Sequence, residues 1–171
     1  VADVLFGDYN PAGRLPVTFY RDVSQLPDFE DYSMKGRTYR YMTQKPLFPF
    51  GYGLSYTTFD YGQLDLDKDR INIGQTLKFM IPVTNTGKRD GEEVVQVYLR
   101  KNNDADGPNK TLRAFKRVGI PAGKTVDVEF DLGDEELKWW DVASNTVRVC
   151  AGNYDLMVGG SSQTEDLLLH S

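Results

Sequence analysis

Cysteine and histidine occur once each in the 171 residues, as Cys150 and His170. One of each excludes a disulfide framework, a zinc cluster and a Cys-His nucleophile pair. Cys150 closes an alternating run and reads as a small buried hydrophobe rather than a reactive thiol. Long apolar runs are also missing. Nothing approaches the roughly 18 to 20 residues needed to cross a bilayer, so no membrane span is expected. The formal net charge is −5 and no basic stripe is present, which argues against a nucleic-acid partner or an anionic membrane surface. Initiator Met and signal peptide are absent as well. Val1-Ala2-Asp3-Val4-Leu5-Phe6-Gly7 reads as the last turns of a helix stopped by Gly7, and the chain is expected to be the C-terminal piece of something longer.

What is present is apolar and aromatic: 40% hydrophobic and 12% aromatic residues, enough for a globular core. The aromatics concentrate around Pro46-Leu47-Phe48-Pro49-Phe50-Gly51-Tyr52-Gly53-Leu54-Ser55-Tyr56-Thr57-Thr58-Phe59. Pro46, Pro49, Gly51 and Gly53 forbid a long helix or a central strand there, while the rings are too apolar to leave in water. This stretch is expected to be an irregular joint clamped between domains.

Before the joint, the Pro11- and Gly13-bearing turn leads into Leu15-Pro16-Val17-Thr18-Phe19-Tyr20, whose β-branched and aromatic content predicts a strand. Helix, turn and strand over residues 1–20 read as the closing element of an α/β domain. Periodicity fails over 21–43, a mixture of acids, bases and tyrosines that predicts a long linker packed on a neighbouring domain through Tyr32, Tyr39 and Tyr41. Beyond Phe59 the pattern is β. Runs at 61–67, 76–85, 92–100, 111–120, 124–132, 146–150, 154–158 and 166–169 are separated by Gly- or Asn-rich turns, with one helical turn at 134–137 capped by Asp134. Short strands without long helices predict an all-β chain, an antiparallel sandwich of immunoglobulin or fibronectin III type.

Several clusters bear on chemistry. Asp28, Glu30 and Asp31 are acids of the kind a glycosidase pairs across a sugar, but acids this close in sequence in a mixed-charge loop read as solvated. Asp65-x-Asp67-x-Asp69 and Asn102-x-Asp104-x-Asp106-Gly107 resemble calcium loops, yet the closing position falls on Thr76 or Arg113 in place of a bidentate acid. Trp139-Trp140 would suit stacking on a pyranose, although neighbouring strand residues face opposite sides and both are expected to pack. Asn109-Lys110-Thr111 is a glycosylation sequon in a secreted eukaryotic setting. Arg14, Arg37 and Arg40 are read as locking the linker to its docking surface rather than holding an anionic ligand.

Three ordered motifs carry a family resemblance: Ala2-Asp3-Val4-Leu5-Phe6-Gly7-Asp8-Tyr9-Asn10-Pro11-Ala12-Gly13-Arg14-Leu15-Pro16-Val17-Thr18-Phe19, then Gly36-Arg37-Thr38-Tyr39-Arg40-Tyr41, then Phe48-Pro49-Phe50-Gly51-Tyr52-Gly53-Leu54-Ser55-Tyr56-Thr57. Followed by a sandwich that ends in Ala151-Gly152-Asn153-Tyr154-Asp155-Leu156-Met157-Val158-Gly159-Gly160, they closely resemble the C-terminal third of glycoside hydrolase family 3. Met34-Lys35-Gly36-Arg37-Thr38-Tyr39-Arg40-Tyr41 looks more like the β-xylosidase branch than the β-glucosidase branch. The resemblance implies a retaining, exo-acting parent enzyme that cleaves β-linked plant-type oligosaccharides outside the cytoplasm, in an extracellular or periplasmic setting, with no cofactor. It implies that the aspartate nucleophile and the glutamate acid/base belong to upstream domains, which would be this chain's partners. No catalytic, substrate-binding or metal-ligating residue is assigned within it. The implied division is the end of an α/β-sandwich domain at 1–20, an interdomain linker at 21–56 and a fibronectin III-like domain at 57–171, the whole being a non-catalytic scaffold. The alternative is a carbohydrate- or surface-binding β-sandwich module using Trp139 or Trp140 and the loop at 102–110.

Overall fold

Alternation at period two runs through both halves of the sequence after Phe59, and the computed structural model, which describes residues 1–170, folds it into two facing antiparallel sheets. At the centre of the first sheet is β3 (Leu77–Asn85). β6 (Thr125–Leu132) pairs along one side of it, and the short β1 (Phe59–Tyr61) and β2 (Asp65–Leu66) take the other. The second sheet has the order β10–β9–β4–β5, from β4 (Gly91–Lys101), β5 (Thr111–Ile120), β9 (Tyr154–Gly159) and β10 (Leu167–His170). A separate hairpin pairs β7 (Lys138–Asp141) with β8 (Thr146–Val149).

The core lies between the sheets. Phe79, Ile81 and Val83 of β3 and Val128, Phe130 and Leu132 of β6 face Val95, Val97 and Leu99 of β4 and Leu156 and Val158 of β9. Phe79 and Phe130 are cross-strand partners whose rings stack at 5.4 Å, a pairing that adds to the area they remove from water. The sheet β10–β9–β4–β5 is also covered on its outer side. Over Val95, Gln96, Val97, Tyr98 and Leu99 every side chain of β4 is buried, a pattern that needs cover on both faces of a strand. The second cover is the segment before Phe59.

That segment contains two short helices, α1 (Ala2–Phe6) and α2 (Thr38–Tyr41), and otherwise follows an irregular path. Gly7 ends α1 in a left-handed conformation, φ 84°, as a C-terminal glycine stop does. Residues 15–20, expected to be a strand, form only isolated rungs: Leu15 N–H to the Tyr52 carbonyl, Gly51 N–H to the Leu15 carbonyl, and a bridge between Phe19 and Phe48. The partner is the Pro- and Gly-rich joint, which cannot offer an unbroken ladder. Residues 61–67 are likewise broken, into β1 and β2. The helical turn α3 (Asp134–Leu137) is capped one residue earlier than Asp134: the Gly133 N–H donates to the Glu136 carboxylate at 2.9 Å.

Candidate functional site

Outside the core, side-chain and backbone hydrogen bonds gather at the seam where the segment before Phe59 lies on β4, β9 and the loop after β9. It is built from one residue of each kind that an irregular backbone needs. Asn10, with both an acceptor and a donor on one short side chain, accepts from Ser55 Oγ at 3.0 Å and from the Tyr56 N–H at 2.8 Å. Its amide donates to the Asp90 carbonyl at 3.0 Å. Three segments meet on it.

Arg14 reaches from the first turn to Glu93 on β4, with Nη2 2.8 Å from Oε2 and side chains 12% and 5% exposed. A buried ion pair of this kind does not gain much over an apolar pair, but it fixes register, because neither charge tolerates losing the other. Gln96, on the outer face of β4, donates to the Gly51 carbonyl at 3.3 Å and to the Gly160 carbonyl, and it accepts from the Tyr98 hydroxyl. The Ser162 N–H completes the seam on the Phe50 carbonyl at 2.9 Å.

An aromatic stack seals the same place. Tyr39, delivered by α2, stacks on Phe50 at 4.5 Å and meets Tyr98 edge-on at 5.8 Å. Its hydroxyl accepts the Leu112 N–H at 3.1 Å and its own N–H donates to Thr18 Oγ1 at 3.0 Å. Burial pushes the Tyr98 phenol well above its ordinary range. The Tyr61 phenol is pushed up too, first by burial and then by the neighbouring Glu93 carboxylate. Such groups resist ionisation and hold a seam; they do not carry protons at neutral pH.

The residues singled out in the sequence fall mostly into structural roles. Asp28 accepts the Glu30 N–H at 3.0 Å and Asp31 accepts the Ser33 N–H at 2.8 Å, so both serve as turn caps in an exposed loop. The Ser33 amide and hydroxyl hold the Asp31 carboxyl below the usual carboxylate range. Asp67 accepts the Lys78 N–H, and Asp104 accepts the Trp139 indole N–H at 3.0 Å. Among the described residues, no group of three or more His, Cys, Asp or Glu side chains could hold a metal ion. Arg37 closes its own loop on the Ser33 and Asp31 carbonyls; of the three arginine side chains only that of Arg14 bonds across to the sandwich, while the Arg40 backbone carbonyl accepts the Asn109 N–H at 2.6 Å. Arg40 sits over the Tyr41 ring, and its Nε is buried without a partner. The tryptophans divide: Trp139 is 5% exposed beneath the Arg113 guanidinium, whereas Trp140 is 52% exposed opposite Val147 on β8. Asn109 is exposed, with its side-chain amide donating to the Met42 carbonyl at 3.3 Å.

Sequence reasoning did not single out Glu93, Gln96 or Lys110. The available signal was the polar Glu93 and Gln96 inside the otherwise apolar run of β4, since a buried polar side chain has to be matched by a partner.

Two family models match the chain. The glycosyl hydrolase family 3 C-terminal domain matches residues 1–56, and the fibronectin type III-like domain matches residues 93–162. A xylan 1,4-beta-xylosidase of Xylanibacter ruminicola is 53% identical over 167 residues, covering 98% of this chain and 19% of the relative. A periplasmic beta-glucosidase of Salmonella typhimurium is 39% identical over 154 residues, covering 82% and 20%. Among solved structures, a beta-glucosidase involved in saponin metabolism from intestinal bacteria superposes with a TM-score of 0.83 at 35% identity, over 99% of this chain and 23% of that one. The chain thus spans about a fifth of the length of the relatives it matches. It belongs to glycoside hydrolase family 3, as the C-terminal region in which the family's C-terminal domain passes into its fibronectin type III-like domain.

Proposed function

We propose that this chain is the non-catalytic brace of an exo-acting, retaining β-glycosidase, with a β-xylosidic oligosaccharide as the substrate of the whole enzyme. The observation that carries the reading is an imbalance of surface. The chain exposes 10861 Å², whereas a compact monomer of 19.4 kDa exposes about 8,500 Å². Much of the excess is apolar and lies on the segment before Phe59: Leu5, Phe6, Val23, Phe29, Tyr32 and Leu54 are all exposed, Phe29 to 92%. One side of this segment is locked to the sandwich by Asn10, Arg14, Gly51 and Tyr39, and the other presents side chains suited to a second protein surface.

In this reading residues 1–20 end an α/β-sandwich domain, 21–56 form the linker and 57–171 form the sandwich. The rest of the polypeptide supplies the nucleophile and the acid/base, which must sit about 5 to 5.5 Å apart for retention. A site assembled from more than one domain loses activity steeply when its parts drift by an ångström, and a rigid, docked sandwich opposes that drift. The xylosidase preference is supported by the relative of highest identity among those described, and a location outside the cytoplasm by the periplasmic relative. No helix among the described residues is long and apolar enough to cross a membrane.

Deleting residues 21–171 from the full-length enzyme tests the proposal. Thermal stability and turnover of a nitrophenyl β-xyloside should fall together; a deletion enzyme with the melting temperature and kcat of the parent would end the brace reading. A second reading, carbohydrate binding by the sandwich itself, is favoured by one observation, the exposure of Trp140 beside Val147.

A further inference from the structure

A cavity of about 500 Å³ opens where residues 42–49, the end of β4, the loop after β9 and the start of β10 meet. Its size lies in the roughly 300–1,000 Å³ range of small-molecule sites. Lys110 lines it and is 8% exposed. The ammonium donates to the Ser162 carbonyl at 2.8 Å and to Thr164 Oγ1 at 3.4 Å. An ammonium has three donors, so one is left over. Among the described residues no carboxylate forms an ion pair with Lys110; the like-charged Arg100, which also lines the cavity, acts on it most strongly, and Glu165 follows with the opposite sign. Arg100 is held by Asp155. Burial first, then Arg100, hold the Lys110 ammonium below the usual lysine range.

A largely buried ammonium with a donor left over and no carboxylate in ion-pair contact is unfavourable, and an anion entering the cavity relieves it. The rest of the lining narrows what kind of anion. Thr18, Gln44, Asn109 and Gln163 present hydroxyl and amide groups, Lys45 adds a third positive charge beside Lys110 and Arg100, and Glu165, exposed, is the one acid of the wall. Neutral donors and acceptors in that number suit the hydroxyls of a sugar, and the ammonium suits a carboxylate. We propose that this cavity binds a carboxylated sugar, a hexuronate, with its carboxylate on Lys110 and its hydroxyls among the side-chain amides around it. The site goes beyond the brace reading and does not depend on it, since every residue that forms it lies within this chain.

The test is a titration of the isotopically labelled 171-residue chain, followed by amide chemical shifts, with methyl β-D-glucuronoside, methyl β-D-xyloside and sodium sulfate in turn. The glucuronoside should shift the amides of Asn109, Lys110, Ser162 and Gln163 saturably, and added sodium chloride should weaken it. The xyloside should bind about tenfold more weakly or worse, having no charge-assisted contact. Glu165→Gln, a change at an exposed position, should tighten glucuronoside binding about threefold by removing the opposing charge. Lys110→Met should abolish it; should that variant fail to fold, the Glu165→Gln and salt results decide. Equal affinity for the two glycosides would overturn the assignment of charge recognition. Sulfate shifting the same amides as tightly as the glucuronoside would overturn the sugar in favour of any small anion. Absence of shifts at these amides would overturn the site.

Discussion

A Cβ placed on Gly51 would lie 2.1 Å from Oε1 of Gln96. The joint and the outer face of β4 are thus in contact at backbone range, and Gly51 reaches that position with φ 81°, in the left-handed region that a side chain disfavours. Both constraints act on one residue. Gly51→Ala should destabilise the chain by about 3 kcal/mol, combining backbone strain with overpacking. Urea denaturation measures it, and Gln96→Ala in the same chain should recover part of the loss by removing the overlapping amide. A Gly51→Ala chain as stable as its parent would mean that the joint does not rest on β4.

The ion pair of Arg14 and Glu93 makes a second prediction about the seam. Arg14→Met leaves the Glu93 carboxylate buried without its cation, which should cost about 3–5 kcal/mol. Replacing both, Arg14→Met with Glu93→Leu, should return most of that stability, because the two apolar side chains carry no desolvation penalty. A double-mutant cycle by urea denaturation gives both values. Additive single-mutant losses would show that the two side chains do not act as a pair.

How much of this was legible in the sequence differs between the two halves. β3 and β6 were readable because only one face of each is buried, so burial imposes a two-residue period; β3, with Phe79, Ile81 and Val83 inward, is the clearest case. Alternation within the run at 92–100 picks out Val95, Val97 and Leu99 as its inward face, although Gln96 and Tyr98 between them are buried as well. The run Val94-Val95-Gln96-Val97-Tyr98-Leu99, nearly continuous in bulky side chains, carried a signal of cover on both faces that a one-faced reading passes over. Residues 15–20 misled because Val17, Thr18 and Phe19 have strand-like propensity, while pairing depends on a partner, and the partner here contains Pro49, Gly51 and Gly53. Propensity describes a residue; pairing belongs to two segments. The role of Lys110 could not be read at all, since its burial depends on loops far apart in sequence.

The buried phenols predict how the fold responds to alkali. Tyr61 and Tyr98 are raised far above the ordinary tyrosine value and Tyr154 to about 12, each chiefly by burial. A group whose folded pKa lies above its unfolded value contributes stability that is complete below the unfolded pKa and is lost as pH rises towards the folded one. Stability should therefore hold up to about pH 10 and fall steeply above it. Lys110, lowered by burial, acts in the opposite sense near the unfolded lysine value, but it is one group against three. Ultraviolet titration of phenolate, compared with circular dichroism, provides the check: the last tyrosines should ionise only as the fold is lost. Tyr98→Phe should weaken the chain by about 1 kcal/mol at neutral pH, through the lost bond to Gln96, and make the alkaline fall shallower.

Below neutrality the β7–β8 hairpin should be the part that responds. The Asp141 carboxyl is held below the usual carboxylate range first by the Ser144 hydroxyl and then by Arg148, both of which bond to it. A depressed carboxylate contributes stability above its unfolded pKa and loses it as pH falls through the folded one. Protection factors of the β7 and β8 amides, corrected for the intrinsic pH dependence of exchange, should fall below about pH 4, while those in β3 and β4 stay high. Asp141→Asn should show the lower protection at every pH and lose the acid dependence. Equal acid sensitivity in the hairpin and the core would mean that Asp141 is not the controlling group.

The two tryptophans, adjacent in sequence, should separate in every measurement that depends on environment. Trp139 is buried against Tyr154 and Arg113 with its indole N–H on Asp104, whereas Trp140 faces solvent. Trp139→Ala should therefore cost about 3–5 kcal/mol, and Trp140→Ala should stay within about 0.5 kcal/mol of the parent. Acrylamide should quench one part of the emission readily and the other poorly, the accessible part vanishing in Trp140→Ala. That stable variant also decides between brace and binding module. In affinity electrophoresis through soluble xylan or β-glucan, the brace reading expects the same unretarded migration with and without the Trp140 ring. Retardation of the parent that disappears in a folded Trp140→Ala chain would assign polysaccharide binding to the hairpin, because the exposed face of that ring is what the change removes from the surface.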